Sequence, residues 1–156
     1  MTQQVASVRH NDSAAVAARL MWDCDCGAVP VLDDDDRVIA MVTDRDICMA
    51  ALMRDRAPSA ISVADVMSRD LQCCGPDDDL GSAEQMMRQH QIRRLPIVDG
   101  DRRPMGMLSL ADIVRATDHQ KGRARRDVRP EEIAVTLADI CATPAREINP
   151  PVPPAF

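Results

Sequence analysis

Apolar positions along this chain alternate between helical and strand periods in a fixed order, and the order is run through twice. Ala14 to Asp23 carries Val16, Ala17, Leu20 and Met21 at helical spacing behind Asn11-Asp12-Ser13, which have N-cap chemistry, so a helix is predicted there. Val29 to Leu32 and Val38 to Val42 are short apolar runs around the acidic Asp33 to Asp36, the pattern of two strands joined by a turn. Thr43 then caps a helix through about Met53, with Asp44 and Asp46 in the first turn, where the helix dipole favours them.

The second pass repeats the plan. Asp77-Asp78-Asp79 precedes a helix over Leu80 to His90, Leu95 to Val98 and Met105 to Leu108 read as strands around Gly100, and Ser109 caps a helix from Leu110 to about Thr117. His90 stands at a helix end, where its charge suits the dipole. Between the passes, Arg54 to Ser62 reads as a linker containing Pro58, Ser62 to Asp65 opens a short helical turn, and Val66 to Cys74 leads in as Met1 to Val8 does. Pro130, followed by Glu131 and Glu132, starts a further helix with the stripe Ile133, Leu137, Ile140 and Cys141. The Pro-rich tail from Pro144 is expected to be extended or disordered.

The two passes are copies. Ala28 to Ala50 aligns without a gap on Arg94 to Ala116, with eight of 23 pairs identical: Pro30/Pro96, Asp33/Asp99, Asp35/Asp101, Arg37/Arg103, Met41/Met107, Asp46/Asp112, Ile47/Ile113 and Ala50/Ala116. Most other pairs preserve volume, as when two copies build the same core. The expected fold class is therefore α/β of the α+β type: two pseudo-symmetric βαββα repeats over residues 1–60 and 61–118. Residues 119–156 supply a basic connector, a helix and the tail.

Composition narrows the function. The 156 residues, 46% hydrophobic and 28% charged, suit one compact domain, and a net charge of −6 argues against coating nucleic acid. The basic run Lys121, Arg123, Arg125, Arg126 and Arg129 reads as a solvated connector. Trp22 and Phe156 are the only aromatic residues, so the core must be aliphatic and a planar ligand would be held between aliphatic side chains. With no membrane-length apolar run and a polar start, a cytoplasmic location is expected, and the six cysteines then read as reduced, buried thiols. Cys24, Cys26, Cys73 and Cys74 are too tightly spaced for the usual zinc knuckle.

In each copy a strand runs into a hydroxyl-capped helix, Ala40 to Asp46 and Gly106 to Asp112. Free N–H groups and the hydroxyl at such a helix start form an anion site, and the carboxylate three residues on can accept from a ribose diol. The same Thr/Ser-x-x-acid pattern is a capping box that needs no ligand. At these residues, with Ile92-Arg93-Arg94-Leu95-Pro96-Ile97-Val98-Asp99 and the counterparts Ala28 to Asp33 and Ala40 to Ile47, residues 1 to 118 resemble a pair of cystathionine-β-synthase (CBS) domains, a Bateman module.

The resemblance implies a regulatory sensor rather than an enzyme. It implies an adenosine-containing ligand in clefts between the repeats, commonly in a homodimeric disc, with the downstream protein target unnamed. AMP is favoured, then ADP or ATP, with NAD(H) and S-adenosylmethionine as alternatives. Carried over from a similar nucleotide-binding repeat of the AMP-activated protein kinase gamma subunit, Asp112 would hold the ribose, Ser109 and Arg94 the phosphate, and Arg93 would flank it. Cys26, Gly27 and Ala28, with the lead-in near Val5, would form the other wall. The related cleft of Thr43, Asp46 and Arg45 departs from the pattern, with Ala40 at the family's usual Gly and Ala28 at the position of Arg94, and is expected to bind weakly or differently. The homodimer is expected to use Ile47, Ala50, Ala51, Ile113 and Val114. An enzyme finds no nucleophile or metal motif around His10, His90 and His119; a redox or metal protein built on the cysteines is a third reading.

Overall fold

The computed structural model describes residues 5–119 and 130–141. Strand β1 (Val8–Arg9) precedes helix α1 (Ala14–Asp23), strands β2 (Ala28–Leu32) and β3 (Val38–Thr43), and helix α2 (Asp44–Arg54). The second half runs through α3 (Leu80–Gln89), β4 (Arg94–Val98), β5 (Pro104–Ser109) and α4 (Leu110–His119), and α5 (Pro130–Cys141) follows. The connector Lys121 to Arg129 and the tail from Pro144 lie outside the described residues.

The mixed α+β architecture follows from matching local chemistry in the two halves. β1 pairs parallel with β2, and β2 antiparallel with β3. In the second half Cys74 takes the place of Val8 and pairs parallel with Ile97, beside the antiparallel β4–β5 ladder. Each hairpin is closed by one aspartate. Asp33 Oδ1 accepts from the amides of Asp35 and Arg37 at 3.0 and 2.9 Å, and Asp99 Oδ1 from those of Asp101 and Arg103 at 2.9 and 2.8 Å. The identical pair Asp33/Asp99 thus holds the backbone of both turns. Left-handed residues also recur in register: Asp25 with Gln91 after the first helix of each half, and Asp36 with Arg102 in each hairpin.

Each repeat has its own aliphatic core. Ala14, Ala17, Met21, Val29, Val31, Val42 and Ile47 build the first, joined by Ile61 and Val63 from the chain between the repeats. Met87, Leu95, Ile97, Leu110 and Ile113 build the second, joined by Ile133 of α5. The halves meet where Leu32, Val38 and Val98 pack together and the Val38 amide donates to the Arg102 carbonyl at 2.9 Å.

Several expectations are corrected. The buried stripe of α1 is Ala14, Ala17 and Met21, whereas Val16 is 48% exposed, because small alanines let the helix lie close on the sheet and turn Val16 outward. Ile47 and Ile113, expected at a dimer face, are core residues. The exposed large apolar side chains among the described residues are Val16 and Trp22 on α1, Met49, Leu52 and Met53 on α2, Met105 on β5, Val114 on α4, and Val135 and Leu137 on α5. The cysteines are not generally buried: none of the six forms a disulfide, Cys24, Cys48 and Cys141 are exposed, and Cys74 alone is buried. His90 ends α3 through its backbone N–H, which donates to the Met86 carbonyl at 3.1 Å.

Candidate functional site

A cleft of about 760 Å³ opens where the end of α1 faces the start of β4 and α4. Arg94 and Ser109 are register partners in the β4–β5 ladder, and the Leu110 amide donates to the Arg93 carbonyl at 3.0 Å. The start of α4 is thereby tied to the strand that carries both arginines. On the opposite side, the left-handed Asp25 turns the chain out of α1 so that Cys24, Asp25 and Cys26 form a rim, the Cys26 amide returning to the Met21 carbonyl at 2.9 Å. Met107, Leu110, Val114, Arg115 and Leu137 complete much of the lining.

The polar floor is a reciprocal pair. The Ser109 hydroxyl donates to Asp112 Oδ2 at 2.6 Å, the Ser109 amide donates to the same oxygen at 2.9 Å, and the Asp112 amide donates to Ser109 Oγ at 3.2 Å. Arg115 donates to the other carboxylate oxygen at 2.8 Å. Partial burial works against ionisation of Asp112, but the hydrogen bonds from Ser109 and Arg115 outweigh it and hold the carboxyl well below the usual range. The floor therefore presents a permanent anion at neutral pH. Burial pushes the Cys26 thiol up, opposed by its backbone contact with Ala28 and by the positive charge of Arg94.

Arg93, Arg94, Ser109, Asp112 and Cys26 are thus brought together in one cleft. Gly27 lines a neighbouring cleft of about 510 Å³, which shares Asp25, Cys26 and Arg94 with the first and includes Trp22, Asp44 and Cys48. Ala28 is buried and lines neither. Thr43 and Asp46 also line neither, although they repeat the reciprocal pair: the Thr43 hydroxyl donates to Asp46 Oδ2 at 2.7 Å and the Asp46 amide returns to Thr43 Oγ1 at 3.2 Å. Arg45 is exposed beside them. Arg115 and Leu137 were not foreseen in the cleft. Arg115 has a sequence signal, since it follows Asp112 by three residues and so shares its helical face. Leu137 depends on how α5 is seated, which no local pattern encodes.

The CBS domain model matches residues 1–52 and 63–119. The chain belongs to the CBS-domain family. CBS domain-containing protein YhcV of Bacillus subtilis is 36% identical over 135 residues, which cover 85% of this chain and 94% of the relative. Hypoxic response protein 1 of Mycobacterium tuberculosis is 30% identical over 115 residues, 74% of this chain and 80% of that one. A structure of Hypoxic Response Protein I with two coordinated zinc ions overlays with a TM-score of 0.67 across 74% of this chain and 92% of that chain. The CBS domain pair of protein MJ0100, solved in complex with 5′-methylthioadenosine and S-adenosyl-L-methionine, overlays with a TM-score of 0.68 at 21% identity, covering 77% and 93% of the two chains. The protein is thus a CBS domain pair, a regulatory type of module that often binds adenosine-containing ligands. Among the described residues, no helix of this CBS pair is long and apolar enough to cross a membrane, and no group of three or more His, Cys, Asp and Glu could hold a metal ion.

Proposed function

We propose that this CBS pair is a sensor whose ligand is an adenine nucleotide, AMP before ADP or ATP, held in the cleft of Arg94, Ser109 and Asp112. The observation that carries this reading is the uneven charge of two otherwise matching repeats. Arg93, Arg94 and Arg115 line the cleft, while their counterparts at an offset of 66 are Gly27, Ala28 and Met49. In a chain of net charge −6, guanidiniums gathered beside a hydroxyl and a helix start suit a phosphate, whose oxygens match their planar donors. Asp112 would accept from the ribose hydroxyls. S-adenosylmethionine presents a cationic sulfonium to the same arginines, so it ranks below AMP here; NAD(H), which carries phosphates, remains a competitor in the assay.

The nucleotide would act by linkage, shifting the balance of two arrangements by its differential affinity for them. Assembly into a homodimer is part of this reading. Trp22, Leu52 and Met53, 85%, 73% and 79% exposed, lie on the packed helices α1 and α2, and with Met49 they are apolar side chains that a second copy would cover. Calorimetry with AMP, ADP, ATP, adenosine, NAD(H) and S-adenosylmethionine tests the ligand. Tightest binding by AMP is the expected result, and S-adenosylmethionine binding tighter than every phosphate-bearing ligand would refute it. Light scattering at micromolar protein should give twice the chain mass; a monomer mass refutes the dimer.

A further inference from the structure

Helix α5 lies beyond the residues matched by the family model, yet it forms part of the cleft. It packs on α3 and α4 through one face, with Ile133 buried in the second core, Thr136 fully buried and Ile140 against the same cluster. Two polar contacts tie down its far end: Gln91 Nε2 donates to the Asp139 carbonyl at 3.2 Å, and Arg88 pairs with the Asp139 carboxylate at 3.2 Å. Leu137 continues the stripe one turn after Ile133 but is 42% exposed, because it projects into the cleft that also holds Arg94, Ser109 and Asp112. Val114 of α4, 39% exposed, lines the same cleft.

We propose that Leu137 is a ligand-contacting residue and that α5 completes the nucleotide site. The inference rests on the adenosine reading of the cleft. Among the described residues the cleft lining holds no aromatic side chain, so the apolar faces of the nucleoside are met by aliphatic ones, and Leu137 and Val114 are half-exposed side chains already in position. The polar floor holds phosphate and ribose, and the helix outside the repeats supplies apolar cover. By reciprocity, whatever factor the seated helix adds to ligand affinity, the ligand adds to the seating of the helix. The C-terminal segment thereby becomes the part of the chain that reports occupancy.

Calorimetry on the full chain compares wild type, Leu137→Ala and the control Val135→Ala, which alters an exposed residue of α5 that does not line the cleft. Losing the part of a leucine side chain that a ligand covers should weaken AMP and adenosine alike by about five- to tenfold. Val135→Ala should stay within about twofold of wild type, as an exposed substitution away from the site. Hydrogen exchange on the wild type should show the amides of residues 131–141 slowed by AMP, and slowed less in Leu137→Ala. Unchanged AMP affinity in Leu137→Ala, an equal loss in Val135→Ala, or exchange across 131–141 indifferent to AMP overturns the inference while leaving the ligand reading in place. A wild-type chain that binds neither AMP nor adenosine overturns both.

Discussion

Replacing Arg94 by alanine separates phosphate recognition from recognition of the nucleoside. Arg94 is partly buried at the start of β4 and opposite Ser109 in the ladder, and it makes no ion pair among the described residues, so its charge is available to a ligand. A hydrogen bond involving a charged group contributes about 1.5–3 kcal/mol. Arg93 and Arg115 remain in the cleft and recover part of that loss, which places Arg94→Ala near the lower end, about 1.5–2 kcal/mol or roughly 10- to 30-fold in the Kd for AMP. Adenosine, which has no phosphate, should change by less than about twofold, within the range of a neutral surface substitution. Asp112→Ala should weaken both ligands, since both present the same ribose. Calorimetry on the two variants with the two ligands gives four comparisons, and thermal unfolding checks that Arg94→Ala keeps wild-type stability. Equal losses of AMP and adenosine in Arg94→Ala would refute the phosphate assignment.

Arg102 holds a φ of 63° on an exposed hairpin and is held through its backbone, its amide donating to the Asp99 carbonyl at 3.0 Å and its carbonyl accepting from the Val38 amide at 2.9 Å, contacts that glycine keeps; Arg102→Gly should stabilise the fold by about 0.5–1 kcal/mol in thermal unfolding, and a loss of stability would refute this. Thr136 is fully buried with its hydroxyl unpartnered among the described residues, so Thr136→Val should raise the urea midpoint by the equivalent of about 1 kcal/mol, and a lower midpoint would show that the hydroxyl has a partner. Burial raises the pKa of Glu84, with Arg88 opposing and Glu132 reinforcing the shift. A raised folded pKa means stability that is fully present below the ordinary value of 4.5 and is lost as pH climbs through the folded value. Glu84→Gln should therefore melt higher than wild type at pH 7, with the difference closing below pH 4.5; a pH-independent difference would refute the assignment.

What could be read in the sequence was whatever local chemistry dictates. Ala14–Asp23 is a helix with the bounds its cap and periodicity imply, Ser13 accepting from the Val16 amide. Thr43 and Ser109 begin helices because their hydroxyls meet the amides of Asp46 and Asp112. What could not be read was the rotation of each helix about its own axis. α1 has apolar residues on more than one side, and only the sheet beneath it selects Ala17 and Met21 over Val16. The same holds for α2, where Ile47 faces the core and Leu52 and Met53 face out. The seating of α5, and with it the place of Leu137, depends on side chains of α3 and α4 that are distant in sequence.

The arginines at the cleft are best understood from what the repeats share. Three of the pairs identical between the copies serve the backbone or the core: Asp33/Asp99 close the hairpins, Asp46/Asp112 complete the caps, and Ile47/Ile113 fill the interior. Those roles require the same side chain in both halves whether or not anything binds. Positions 93, 94 and 115 have no such role in common with their counterparts, since Gly27, Ala28 and Met49 occupy the equivalent backbone and each repeat still forms the same ladder and cap. Arginine is therefore not needed there to build the fold. At Ala28 the side chain is buried at 6% exposure, so a guanidinium there would have to displace its neighbours. A shared scaffold that tolerates small or apolar residues in one half, and in the other sets Arg93 and Arg94 beside a capping pair whose carboxylate already holds Arg115, supports the proposed reading that the two remaining guanidiniums serve an anionic ligand.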